Sequence, residues 1–312
     1  MMYDIIIIGA GPAGLTAALY ARRAMKNVLV LEAFTPGGQI INTIDIENYP
    51  AAPHISGVDF SNNLFNQVKE LECDIKFERA LDIKNLKTNK QVITKDNIYE
   101  AKTIIIATGN ENRKLGLENE EDLLGHGVSY CATCDGSFFK GKDVAVVGGG
   151  NTAIEEALYL SDICKSVSII HRRDEFRADE TLVGELKSKN NIEFIYNSSV
   201  TKLNTEKSSE KLGSIEVTNN DGSIKTIEVS GIFIAVGRVP ENQNFAKIIN
   251  LDKTGYVIAG EDCHTNVEGI FVAGDNRVKS LRQLVTATSD GAVAATEAIK
   301  YINKNRSNAS DI

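Results

Sequence analysis

The chain has 312 residues, 42% of them hydrophobic and 24% charged, the balance of a globular protein of about two domains. A net charge of −8 argues against broad nucleic-acid binding, which needs a basic face. No apolar run approaches the roughly 20 residues that cross a bilayer, and the start MMYDIIIIGAGPAG lacks a basic region and a small-residue cleavage site. The expectation is therefore no membrane association, no signal peptide and a cytoplasmic location.

The first element, Ile5 to Ile8, is a short apolar run suited to a central parallel strand buried on both faces. Gly9, Gly11 and Gly14 follow as G-x-G-x-x-G and lead into an alanine-rich helix. A second apolar strand, NVLVLEA, then ends in Glu32. In such a unit the first glycine permits the tight turn, the second lets a pyrophosphate approach, and the third lets helix pack on strand. The helix start offers free N–H groups to an anion, and an acid roughly 20 residues on accepts hydrogen bonds from a ribose. Further on, KTIIIATG (Lys102 to Gly109) reads as another apolar strand, ending in Thr108 and Gly109.

SYCATCDGSFF, from Ser129 to Phe139, holds Cys131 and Cys134 with Asp135 directly after. A pair at this spacing supplies half of a zinc site or cycles between dithiol and disulfide. There is no second C-x-x-C, and no fourth ligand joins His126 and the pair, so redox cycling is favoured and no metal is expected. Cys73, Cys164 and Cys263 stand alone and read as ordinary free thiols. The chain has five cysteines in all, an odd number that argues against a secreted disulfide framework.

A second nucleotide-binding unit begins at KDVAVVGGGNTAIEEALYLSDICKSVSIIHRRDEFR. Val144 to Val147 is its strand, Gly148, Gly150 and Ala153 its turn, Thr152 to Leu160 its helix, and Val167 to Ile170 its next strand. That strand ends in His171, Arg172 and Arg173, with Arg177 close behind, instead of an acid. Arginines supply forked donors to a ribose 2′-phosphate, where an acid would repel it. Charge-assisted contacts are worth about 1.5–3 kcal/mol each, so two imply a preference for NADPH over NADH of roughly two to four powers of ten. With a nicotinamide in the second unit, the acid-ended first unit is expected to hold FAD. SGIFIAVGRVPEN (Ser230 to Asn242) closes the second unit. VEGIFVAGD (Val267 to Asp275) ends in Gly274 and Asp275, and LRQLVTATSDGAVAATEAIKYI follows as a helix despite Gly291. The terminal NKNRSNASDI reads as a short frayed tail.

Over essentially its whole length the sequence resembles the low-molecular-weight bacterial thioredoxin reductases. The pieces that carry the resemblance are GAGPAG, PGGQ, ENYP, CATCDG, GGGNTA, HRRDEFRA, GRVP, AGD and LRQ, in that order. The resemblance implies an α/β fold of two Rossmann-like three-layer domains. The FAD domain would comprise residues 1–110 and 244–312, with the NADPH domain, carrying the C-x-x-C, inserted at 111–243. It implies FAD contacts from Gly9, Gly11, Pro12, Ala13, Gly14, Glu32, Gly38, Gln39, Asn48, Thr108, Gly109, Gly274, Asp275, Arg282 and Gln283. It implies NADPH contacts from Gly148, Gly150, Asn151, Thr152, Ala153, His171, Arg172, Arg173 and Arg177. It also implies a homodimer.

The activity so implied is thioredoxin-disulfide reduction, with electrons passing from NADPH through FAD and the Cys131–Cys134 pair to thioredoxin or a thioredoxin-like dithiol protein. Both the NADPH turn and the cysteine pair fall on one inserted domain, so that domain is expected to turn between half-reactions, with hinges near Asn110 and Gln243. By the resemblance Cys134 faces the flavin and Cys131 attacks the partner. Asp135 is either an acid–base group or a helix cap. Phe138 and Phe139 read as core or as an apolar docking patch. Rival readings are a ferredoxin-linked flavoreductase and a flavin-dependent dithiol oxidase, both disfavoured by the intact arginine cluster. A non-enzymatic flavin redox sensor is disfavoured by the complete C-x-x-C and two nucleotide turns.

Overall fold

In the computed structural model, which describes residues 2–52, 54–86, 89–206 and 209–310, the chain divides into two units. One comprises Met1–Glu111 and Val239–Ile312, the other Asn112–Arg238. The second crossing falls earlier than 243–244 because Asn242 belongs to the first unit. Its buried amide donates to the carbonyls of Gly255 (2.9 Å) and Asn276 (2.8 Å) and accepts from the Thr108 hydroxyl (3.2 Å).

The first unit is built on a seven-stranded sheet. Met2–Ile8 lies at its centre, parallel to Val28–Leu31 on one side and Ile98–Ile106 on the other. Asp74–Lys76 and Ile270–Val272 extend the parallel part, while Lys90–Ile93 and Asp82–Asn85 add an antiparallel hairpin. The unbroken isoleucine run is explained by its two faces. Ile5 and Ile7 pack with the helices Pro12–Arg23 and Leu284–Ser310. Ile6 and Ile8 pack on the opposite side with Ile83 and Val92 of the hairpin and with Phe245 and Ile249. Burying each such side chain contributes roughly 1.5–3 kcal/mol, so alternation with polar residues would weaken the sheet from both sides.

The helix Leu284–Ser310 tolerates Gly291 because it needs it: a Cβ there would collide with the carbonyl oxygen of Ala13. This glycine sets how closely the helix lies against Pro12–Arg23. The terminal segment is helical as far as Ser310, so the expected frayed tail is corrected up to that residue; 311–312 lie outside the described residues.

The second unit has an all-parallel five-stranded sheet in the order Ile192–Ile195, Ser166–Ile170, Asp143–Gly148, Gly231–Ala235, Val128–Ser129. Helices Asn151–Ile163 and Glu180–Ser188 cover one face. An antiparallel sheet of Ser198–Thr205, Leu212–Asn219 and Ile224–Glu228 covers the other. Among the described residues no helix is long and apolar enough to cross a membrane.

Candidate active site

In the first unit the glycine turn is shaped as its sequence predicts. Gly9 has φ +106°, and a Cβ there would strike the Ala107 carbonyl. A Cβ on Gly14 would collide with the oxygen of Gly9, so helix and strand meet at backbone distance. Gly11, by contrast, faces open space, its nearest neighbour beyond the turn being the Cα of Gly38 at 3.9 Å. The helix that follows begins at Pro12 without a side-chain cap, leaving its first N–H groups to an incoming anion. Glu32 reaches back to this turn and accepts from the N–H of Ala10 at 2.7 Å and of Phe34 at 2.9 Å. A dinucleotide pyrophosphate and ribose therefore fit the residues present.

Other predicted residues of this unit lie close together. The Asn48 amide donates to the Gln283 side-chain oxygen at 3.1 Å. Arg282 lies over the Tyr256 ring, 4.2 Å to its centre, and donates to the carbonyl of Asp275 at 3.4 Å. Thr108 is tied to Asn276 (3.1 Å) as well as to Asn242. Gly109 and Gly274 both have positive φ, and the Gly274 N–H donates to the Asp290 carboxylate at 3.0 Å. Gly38 opens the short helical turn Gly38–Asn42, which also carries Gln39.

In the second unit, Gly148 to Ala153 repeats the turn. A Cβ on Gly148 would lie 2.7 Å from that of Ala153, and Gly150 has nothing within 4 Å. The segment after Ile170 folds back over this turn. Arg177 N–H donates to the Gly149 carbonyl at 2.7 Å, and Asp179 N–H to the Asn151 side chain at 2.9 Å. Asn151 and Thr152 open the helix Asn151–Ile163. The His171 ring is buried against Gly149, where any Cβ would displace it, and its Nε2 meets the Glu175 carbonyl at 3.0 Å. Burial lowers the pKa of this imidazole; the hydrogen bond to the Glu175 carbonyl opposes that, and the neighbouring arginines add to the lowering. Arg172, Arg173 and Arg177 are exposed and make no ion pair among the described residues. Three guanidinium groups beside an open glycine turn fit a phosphorylated ribose.

Cys131 and Cys134 are joined as a disulfide, their Cα atoms 5.3 Å apart. A disulfide at this spacing is consistent with a redox-active pair. Cys131 precedes the four-residue helix Ala132–Asp135, and the N–H groups of Cys134 and Asp135 both return to its carbonyl. Asp135 does not cap the helical turn after it; its carboxylate instead accepts from the Ser129 hydroxyl at 2.6 Å. Desolvation raises its pKa and outweighs that hydrogen bond. A half-buried carboxyl that keeps its proton unusually long is suited to supplying one to a departing sulfur.

Phe139 is core: its ring meets Phe233 edge-on at 5.4 Å and fills the space left by Gly231. Phe138 and His126 are exposed. Two residues that sequence reading passed over join the site. Ser129 holds Asp135 and also accepts from the Cys131 N–H at 3.1 Å. Glu156 reaches the Ala132 N–H from the facing helix. The signal for Glu156 was present in NTAIEEALYL, where it shares a helical stripe with Ala153, Ala157 and Leu160.

The pyridine nucleotide-disulphide oxidoreductase family model matches residues 3–291. The chain belongs to this family. It is 43% identical over 304 residues to the thioredoxin reductase of Listeria innocua, covering 97% of this chain and 95% of that protein. It is 41% identical over 307 residues to that of Bacillus subtilis, covering 97% and 96%. The crystal structure of thioredoxin reductase from Streptococcus pyogenes superimposes with a TM-score of 0.93 at 40% identity, covering 97% of this chain and 99% of that one.

Proposed function

We propose that the chain is an FAD-dependent thioredoxin-disulfide reductase driven by NADPH. The observation that carries this reading is the pairing, within Asn112–Arg238, of the Cys131–Cys134 disulfide with a glycine turn flanked by three exposed arginines. When bound, FAD relays the two electrons of NADPH to a disulfide. The first unit is the FAD domain, its pyrophosphate received at Gly9–Gly14 and its ribose at Glu32. Asn48, Gln283, Arg282 and Asp275 belong to the flavin side of that site. The inserted unit is the NADPH domain, with Arg172, Arg173 and Arg177 on the 2′-phosphate.

The chain's own residues then do the following. Cys131, as thiolate, attacks one sulfur of the partner's disulfide and the partner's other sulfur leaves as a thiolate. Cys134 displaces the partner from Cys131, which re-forms the Cys131–Cys134 bond and frees the reduced partner. Asp135 holds the proton that a departing sulfur needs, with Ser129 fixing its carboxyl. The disulfide and the nicotinamide turn ride on one unit and both must reach the flavin, so the inserted unit rotates between the half-reactions.

The partner is thioredoxin or a similar dithiol protein, and the protein acts in the cytoplasm as a homodimer.

The decisive experiment is a coupled assay of the purified yellow protein with NADPH and a thioredoxin. Cys134→Ser should still be bleached by NADPH without air but should not turn over thioredoxin. Retained turnover in that variant, or no bleaching of the native protein, rejects the reading.

A further inference from the structure

Glu156 lies on the stripe of helix Asn151–Ile163 that supports the dithiol segment. Ala153, Ala157 and Leu160 on the same helix are buried, and Glu156 is only 8% exposed. One carboxyl oxygen, Oε1, accepts from the N–H of Ala132, between the cysteines, at 3.4 Å. The other, Oε2, is buried with no hydrogen-bond partner. A leucine or alanine would satisfy the packing there, and a half-satisfied buried carboxyl is costly. Such a group invites a role in the chemistry of the segment it touches.

We propose that Glu156 is a positioning residue for the Cys131–Cys134 couple, holding the Ala132 N–H with its carboxyl and acting on the couple and on Asp135 through its charge. This rests on the redox role given above to the cysteine pair. The charged groups facing Glu156 are Arg238, Asp135 and Glu155. Burial pushes Glu156 up to about 7; the Ala132 N–H and Arg238 oppose this, while Asp135 and Glu155 add to it. Glu156 therefore changes charge near neutral pH, within the same local structure as the reacting sulfurs.

Reducing the disulfide takes two electrons and two protons to give two thiols, the electrons coming from NADPH. Glu156 adds nothing to that net balance. A thiolate formed in the pair raises the proton affinity of Glu156, so this residue takes up part of a proton on reduction and returns it on reoxidation. A neutral residue of the same shape would keep the hold on Ala132 and lose the linkage.

The test equilibrates native holoenzyme, Glu156→Gln and Glu156→Ala with reduced and oxidised dithiothreitol, reading Cys131 and Cys134 by thiol trapping. Dithiothreitol takes up the same two protons, so the exchange constant varies with pH only through thiolates and linked groups. Each unit of pKa change between oxidised and reduced states contributes about tenfold. Between about pH 6 and pH 8 the native constant should change several-fold more than that of Glu156→Gln, the two agreeing within about twofold at the acid end. Glu156→Ala should differ from both throughout; if it does not fold, the glutamine comparison decides. Parallel native and glutamine curves overturn the proposal. The equilibrium needs neither NADPH nor thioredoxin, so failure of the functional reading would show in the coupled assay and not here.

Discussion

The backbone N–H of Arg177 donates to the carbonyl of Gly149 at 2.7 Å, which fastens the basic segment His171–Arg177 onto the second glycine turn. The exposed residues Arg172, Arg173 and Arg177 therefore belong to a segment anchored on that turn, where the proposed function places the phosphorylated ribose. Each charge-assisted contact to the phosphate is worth about 1.5–3 kcal/mol. Arg172→Ala and Arg173→Ala should each lower kcat/KM for NADPH by about 10- to 100-fold and leave that for NADH nearly unchanged. Equal efficiencies of the two coenzymes with the native protein would remove the role of these arginines.

Asp135 is held by Ser129 at 2.6 Å and has its pKa raised by desolvation. Asp135→Asn keeps the size and an oxygen acceptor for the serine but cannot release a proton. Stopped-flow measurement should find bleaching by NADPH intact and electron delivery to the disulfide slowed by about 10²-fold or more. An unchanged second phase would leave Asp135 with a packing role only.

Gly14 faces the oxygen of Gly9 too closely for any Cβ. Gly14→Ala forces the helix away from the strand, and overpacking of this kind costs about 1–3 kcal/mol. The variant should be purified with less flavin and a lower Tm. A fully yellow protein with native Tm would show that the turn relaxes freely.

Asp290 carries a buried cluster beside Gly274. It accepts from Arg277 Nε at 2.8 Å, from Lys279 Nζ at 2.9 Å and from the Gly274 N–H at 3.0 Å, and the Arg277 side chain is 1% exposed. Removing the carboxylate leaves the buried Arg277 guanidinium and Lys279 ammonium with the exposed Glu261 as the remaining ion-pair partner of Arg277, so Asp290→Ala should cost about 3–5 kcal/mol in urea unfolding. Hydrogen bonds to Arg277 and Lys279 hold the pKa of Asp290 below its ordinary value despite burial. Its contribution is thus present above the unfolded-state pKa and is lost as pH falls through the folded one. The stability gap between native and Asp290→Ala should narrow in acid; a gap that widens there contradicts this ion cluster.

Local chemistry in the sequence was enough for the two nucleotide turns, the strands before them and the cysteine couple. Ile5 to Ile8 announces a strand buried on both faces because hydrophobic content is a property of consecutive residues. Gly9, Gly11 and Gly14 announce a turn because backbone freedom belongs to each residue alone. Cys131 and Cys134 lie within reach of each other in any helical turn. Arg172 and Arg173 stand at the end of a strand in the sequence, and the structure leaves both exposed there.

The folded packing decided the rest. The contact of Ala132 with Glu156 spans 24 positions, and that of Gly291 with Ala13 joins the two ends of the chain. Whether Phe139 was core depended on the space left at Gly231, and whether Asp135 was a cap depended on the direction of Ser129. Such relations arise only when helices settle on sheets, since burial and hydrogen-bond direction are properties of surroundings. A sequence states which groups are available, while desolvation and partnership at a given carboxyl come from what the fold places against it.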